Sequence, residues 1–132
     1  MDFDKIKPGI SNELNKTVAD TDSAERYGSG LVPVFSTPAL VAFMEQCANE
    51  SLYSLLPEGY VSVGTEINLR HLKATPLGDQ VKCIAELYAC EGKRLLFNIK
   101  AWDSKGEIGI ATHTRFIVEK EKFLANIRRE NR

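Results

Sequence analysis

Thr37-Pro38-Ala39-Leu40-Val41-Ala42-Phe43-Met44-Glu45-Gln46-Cys47-Ala48-Asn49-Glu50 is the stretch that decides the architecture of this chain. Threonine is a good N-cap and proline is preorganised for the first helical position, so Thr37-Pro38 predicts a helix start. No Gly or Pro interrupts the run from Ala39 to Leu56, and Pro57-Glu58-Gly59 stops it. Leu40, Phe43, Met44, Cys47 and Ser51 follow helical spacing. Pro38 to Met44 is apolar on every side, which predicts a helix buried all round. Glu45 and Glu50 are the only charges as far as Leu56.

On the C-terminal side the period changes to two. Val61, Val63, Thr65, Ile67, Leu69 and His71 share one face of a predicted half-buried antiparallel strand, and Ser62, Gly64, Glu66, Asn68 and Arg70 share the other. A turn follows at Thr75-Pro76-Leu77-Gly78. A second strand spans about Asp79 to Cys90, with Val81, Cys83, Ala85 and Leu87 inward. Glu91-Gly92-Lys93 turns into a third strand over Arg94 to Trp102, and Asp103-Ser104-Lys105-Gly106 into a fourth over Glu107 to Val118. Glu119 to Arg132 reads as a helix led by acids and ended by arginines, which suits the macrodipole. On the N-terminal side, Gly9 to Ala19 holds one irregular strand with Ile10, Leu14 and Val18 as its apolar points. The order is therefore strand, buried helix, four-stranded meander and final helix. That is an α+β architecture in which an antiparallel sheet wraps a long central helix. A sheet this small has exposed edges, and pairing of two copies edge to edge removes one of them.

The 132 residues suit one compact domain, 1–132, and a hydrophobic fraction of 43% supplies one core. A formal net charge of -1 gives no basic field to hold nucleic acid or an anionic membrane. Met1-Asp2-Phe3-Asp4-Lys5 lacks the pattern of a signal peptide, and the longest apolar run, Pro38 to Met44, is too short to span a bilayer. Cys47, Cys83 and Cys90 are odd in number and none has metal-ligand spacing. That fits the cytosol and argues against a disulfide framework and a zinc site. There is no phosphate-binding glycine loop, no Gly-x-Ser-x-Gly elbow and no metal-binding helix motif, so neither cofactor nor metal is expected.

Three residues stand out on physical grounds. Glu45 is a lone carboxylate in the apolar part of a buried helix, where it needs a partner, a raised pKa or a path to solvent. His71 shares the inward face of Ile67 and Leu69, where a neutral imidazole can act as a general base or sit satisfied at a strand end. Thr37 is either a plain N-cap or a hydroxyl beside helix amides that favour developing negative charge. Thr37 and Glu45 are eight positions apart, a rise of about 12 Å in a helix, so Thr37 either lies just before the helix or works with groups from elsewhere, such as the other subunit. Cys47 reads as packing. His113 lies on the face alternate to Ile110 and Phe116, which places it at the surface or an interface.

The segments VFSTPALVAFMEQCA from Val34, VGTEINLRHLKATPLGD from Val63, EGKRLLF from Glu91, EIGIATHTRF from Glu107 and EKF from Glu121 resemble, in order and spacing, the fluoroacetyl-CoA thioesterase family of hotdog-fold proteins. The resemblance covers roughly residues 31–125. It implies an acyl-CoA thioesterase that hydrolyses a small acyl-CoA to the free acid and CoA, working as a cytoplasmic homodimer. The family's catalytic threonine, glutamate and histidine fall on Thr37, Glu45 and His71. Its substrate-binding glycine falls on Gly64, and an arginine of the site region on Arg115. Leu31 stands where the fluoroacetyl-specific enzyme has a phenylalanine closing the acyl pocket, so the resemblance implies a changed acyl preference. Two rival readings are an enoyl-CoA hydratase, for which Ser36-Thr37 offers no Asp-His pair, and a non-catalytic acyl-CoA or metabolite-binding hotdog module.

Overall fold

The computed structural model describes residues 3–130. Strand β1 (Ser11–Thr17) leads through a short 3-10 turn (Asp20–Asp22) and helix α1 (Ala24–Tyr27) into helix α2 (Thr37–Glu50). Strands β2 (Tyr60–His71), β3 (Gln80–Glu91), β4 (Arg94–Asp103) and β5 (Gly106–Glu119) follow, and α3 (Lys120–Glu130) ends the described chain. The ends of the expected terminal helix, Asn131 and Arg132, lie outside the described residues, as do Met1 and Asp2.

The five strands form one antiparallel sheet in the order β1-β3-β4-β5-β2. The four predicted strands are present, but they are not a simple meander. β3, β4 and β5 are consecutive neighbours, whereas β2 pairs with β5 at the far edge and β1 takes the place beside β3. The Thr75–Gly78 turn is therefore not a hairpin. Its residues pack back on the segment before α2: Phe35 N–H donates to the Thr75 carbonyl at 2.8 Å, and Val34 bridges Pro76. Because β2 is an edge strand of 12 residues, one whole side of its backbone has no strand beside it.

α2 lies across the inner face of the sheet. Leu40, Met44, Cys47 and Leu52 are fully buried against Cys83, Leu87, Phe97 and Ile108, each also fully buried. Burial of that kind contributes about 1.5–3 kcal/mol for each large aliphatic or aromatic side chain. Gly109 permits the close approach, because a Cβ there would meet Leu40 Cδ2 at 3.0 Å and Met44 Cε at 3.1 Å. The helix is shorter and less enclosed than its composition predicts. It ends at Glu50, with turns as far as Leu55, and Ala42 is exposed while Pro38 and Val41 are half-buried. One side of an apolar helix is left open in a single copy.

The facing of β2 also differs from the plain alternation. A bulge lies between Gly64, which pairs with Arg115, and Glu66, which pairs with Thr114, so Thr65 is one residue extra. Beyond it Ile67, Leu69 and His71 face inward as the period predicts. Before it the phase is reversed: Ser62 is buried under α2, and Val61 is exposed. β5 corrects a second expectation. Ile110 and Phe116 form its outer face, and Ala111, His113, Arg115 and Ile117 are the buried set. His113 is thus an interior residue.

Candidate active site

The start of α2 is built by two adjacent hydroxyl residues with separate tasks. Ser36, not Thr37, is the N-cap: its Oγ accepts the Ala39 N–H at 3.1 Å. Thr37 is the first helical residue and Pro38 the second, so the Thr37 hydroxyl is not used in capping. It lies 2.9 Å from Nδ1 of His71, the last residue of β2. The Thr37 amide makes no hydrogen bond among the described residues, Pro38 has none to offer, and the Ala39 amide is taken by Ser36. One free donor therefore remains beside the hydroxyl.

His71 Nε2 is buried and has no hydrogen-bond partner among the described residues. Burial lowers the pKa of the ring, only partly opposed by the backbone at Lys73, so the imidazole is neutral near pH 7. The pair opens on a cleft of about 400 Å³ lined by Gly30, Val32, Ser36, Thr37, His71 and Lys73. A clamp holds the segment after His71. The Asp103 carboxylate accepts from Thr75 Oγ1 at 2.9 Å, Lys73 Nζ at 3.1 Å and the Lys105 amide at 2.8 Å. Burial raises the Asp103 pKa, but these donors outweigh it and hold the carboxyl below the usual aspartate range.

Glu45 sits elsewhere. It is half-buried two turns along α2, and no hydrogen bond or ion pair reaches it among the described residues. Its carboxylate abuts Gly64: a Cβ at that position would lie 2.7 Å from Glu45 Oε2, 3.2 Å from His113 Cε1 and 3.3 Å from Arg115 Nη1. The glycine leaves a hollow about one methyl wide between a carboxylate and a guanidinium. Arg115 is buried. Its Nε donates to Ser62 Oγ at 2.7 Å, and its Nη2 donates to the Ser62 carbonyl at 3.1 Å and to Asn49 Oδ1 at 3.4 Å. Burial lowers its pKa and the charge of Glu45 raises it, so the guanidinium stays protonated.

The structure thus brings the six sequence candidates into two groups and a loop. Thr37 meets His71, and Glu45 meets Gly64 near Arg115. Leu31 is 93% exposed on the loop whose Gly30 and Val32 line the first cleft. His71 is seven positions along β2 from Gly64, about 23 Å of strand, and Glu45 is eight positions along α2 from the Thr37 that holds His71, so Glu45 and His71 do not meet within one copy. Three members of the second group were not singled out from the sequence as site residues: Ser62, Asn49 and His113. The shared parity of His113 and Arg115 was the available signal for His113.

The family model for the fluoroacetyl-CoA-specific thioesterase FlK matches residues 18–121. A fluoroacetyl-CoA thioesterase from Streptantibioticus cattleyicolor is 39% identical over 97 residues, 74% of this chain and 70% of that protein. Among solved structures, a FlK mutant in complex with acetyl-CoA superposes with a TM-score of 0.89 at 30% identity, covering 96% of this chain and 100% of that one. A hot-dog-like protein from Thermanaerovibrio acidaminovorans superposes with a TM-score of 0.89 at 29% identity, covering 98% and 97%. The fold is the hotdog. With most of its length matched at that level of identity, this chain belongs to the fluoroacetyl-CoA-specific thioesterase family.

Proposed function

We propose that this thioesterase hydrolyses a small acyl-CoA to the free acid and CoA, and that its working unit is a cytoplasmic homodimer with composite sites. The observation that carries the reading is the Thr37–His71 hydrogen bond of 2.9 Å beside the unbonded amide of the helix start. A neutral imidazole accepts a proton from the attacking oxygen, which is Thr37 Oγ1 or a water held against it. The Thr37 amide and the helix dipole stabilise the oxyanion of the tetrahedral intermediate. The proton then passes from His71 to the departing CoA sulfur. Where water attacks, the acid is formed directly; where Thr37 Oγ1 attacks, the acyl ester left on Thr37 is hydrolysed by a water that His71 deprotonates, which releases the acid and restores the hydroxyl. Arg115 and Gly64 hold the acyl end, and Glu45 stabilises the imidazolium.

That last task needs a second copy. Glu45 lies about 12 Å along α2 from Thr37, which holds its own copy's His71, and β2 is a free edge. Two β2 strands paired antiparallel about an axis near Ile67 and Asn68 bring the Gly64 end of each beside the His71 end of the other. The same pairing covers the open strand edge. Three free cysteines suit the reducing cytoplasm, and no helix among the described residues is long and apolar enough to cross a membrane.

Free-thiol release from a panel of acyl-CoAs tests the activity. Subunit mixing tests the assembly. His71→Ala and Glu45→Ala are each expected to be inactive. Re-equilibrated together in equal amounts, they restore about a quarter of wild-type turnover, because half the dimers carry one intact composite site. No recovery on mixing refutes composite sites. Wild-type rates in both single variants refute the mechanism, and tight binding without thiol release returns the protein to a binding module.

A further inference from the structure

His113 has no part in the proposed hydrolysis, yet it is 2% exposed and fully hydrogen-bonded. Its Nδ1 lies 2.7 Å from the Glu66 carbonyl oxygen, which can only accept, so Nδ1 carries the proton. Its Nε2 lies 3.1 Å from Arg115 Nη1, which can only donate, so Nε2 is bare. The two partners fix one neutral tautomer. The Phe97 ring from β4 flanks the imidazole at 6.3 Å between centroids, and the charges facing it are Arg115 on its own strand and Glu45 on α2.

The consequence falls on Arg115. A guanidinium has five N–H groups. Ser62 Oγ takes the one on Nε, and the Ser62 carbonyl and Asn49 Oδ1 take those on Nη2. His113 takes one of the two on Nη1, which leaves one. Nη1 borders the hollow at Gly64, with the Glu45 carboxylate across it. We propose that His113 is a positioning residue: its bare Nε2 locks Arg115 so that the one unspent N–H faces the Gly64 hollow, where the acyl group binds. The Nδ1–H bond to Glu66 anchors the ring at the β2 bulge that places Gly64 there. Burial, the largest influence on the ring, also disfavours its charged form. The assignment of the hollow to the acyl group rests on the proposed function; the lock itself does not.

Two substitutions separate the halves of the imidazole. His113→Gln keeps an acceptor that can reach Arg115 Nη1 and loses the donor to Glu66. His113→Asn keeps a donor near Glu66 and loses the acceptor. The expected result is kcat/KM within about twofold of wild type for the glutamine variant and a loss of about tenfold or more, mainly in KM, for the asparagine variant. Equal losses in the two variants, or the reverse order, overturn the proposal. Imidazole nitrogen shifts of the wild-type protein, measured by NMR, decide the lock without reference to turnover. A protonated Nδ1 with a bare Nε2 at neutral pH supports it. A protonated Nε2 or a charged ring overturns it, whether or not acyl-CoA is hydrolysed.

Discussion

Gly64→Ala asks whether the hollow beside Glu45 is required for turnover or is only a packing detail. Gly64 is not among the glycines with positive φ, so alanine meets no backbone strain there. Space is the only obstacle. The new methyl would lie 2.7 Å from Glu45 Oε2, and ordinary contact begins at 3.4 Å, so the carboxylate has to retreat by about 0.7 Å. His113 Cε1 and Arg115 Nη1, at 3.2 and 3.3 Å, have to give by only a tenth or two. Glu45 can move because its carboxylate is the free end of a flexible side chain. The fold therefore loses only about 1 kcal/mol, the low end of overpacking. Turnover is more sensitive, since displacing a reacting group by about 1 Å costs on the order of a hundredfold. The expected outcome is a kcat lower by about tenfold to a hundredfold, with a melting temperature only a few degrees below wild type. Thiol release and a thermal melt measure the two. Unchanged kcat in a folded variant refutes the reasoning, and so does a collapse in stability large enough to explain the lost activity.

Three further outcomes follow from other parts of the molecule. Burial lowers the His71 pKa within one copy, so in Glu45→Gln, where no carboxylate opposes it, the imidazole is expected to titrate by NMR below the ordinary histidine range near 6.5; a midpoint at or above that range contradicts this. Asp103→Asn removes a clamp whose carboxyl is held below the usual aspartate range. The clamp's contribution is present in full above that range and is lost as pH falls through the depressed native value. The variant should be about 1–3 kcal/mol less stable in denaturant at pH 7, with the gap closing in acid. Leu31→Phe alters a side chain that is 93% exposed, so the melting temperature should not move, while the ratio of kcat/KM between small and larger acyl-CoAs shifts by about tenfold towards the small.

Where one-dimensional spacing governs, the sequence is a good guide. Val81, Cys83, Ala85 and Leu87 are all buried as their alternation predicts, and Cys47 lies in the core stripe of α2. What escapes the spacing is set by events of one residue or by pairing at a distance. The bulge at Thr65 inverts the first part of β2, so Gly64, which parity places on the outer face, turns towards Glu45, His113 and Arg115. The crossing of β2 to the far edge depends on the loop at Thr75 finding Phe35, a contact between residues 40 positions apart. His113 defies its parity because Ile110 and Phe116, the large apolar residues of β5 on the alternate face, are both more than a third exposed and do not mark the core side. An apolar outer face does not reveal itself by composition. Of the candidate site, the residue types were legible, and the Thr37–His71 contact agrees with His71 facing the helix. The distance between His71 and Glu45 was not legible, because it depends on where along β2 each helical residue lands.

Ser36 and Thr37 show how a protein can keep mechanical duty and reactivity from interfering. Had one hydroxyl both tied down the first turn and faced substrate, each rotation towards the reacting carbon would have loosened the helix that aims it. Dividing the roles between neighbours leaves the second oxygen to His71 while the first keeps the backbone amide in place. The contact between the hydroxyl and the imidazole can therefore be made or broken without disturbing the turn beneath it.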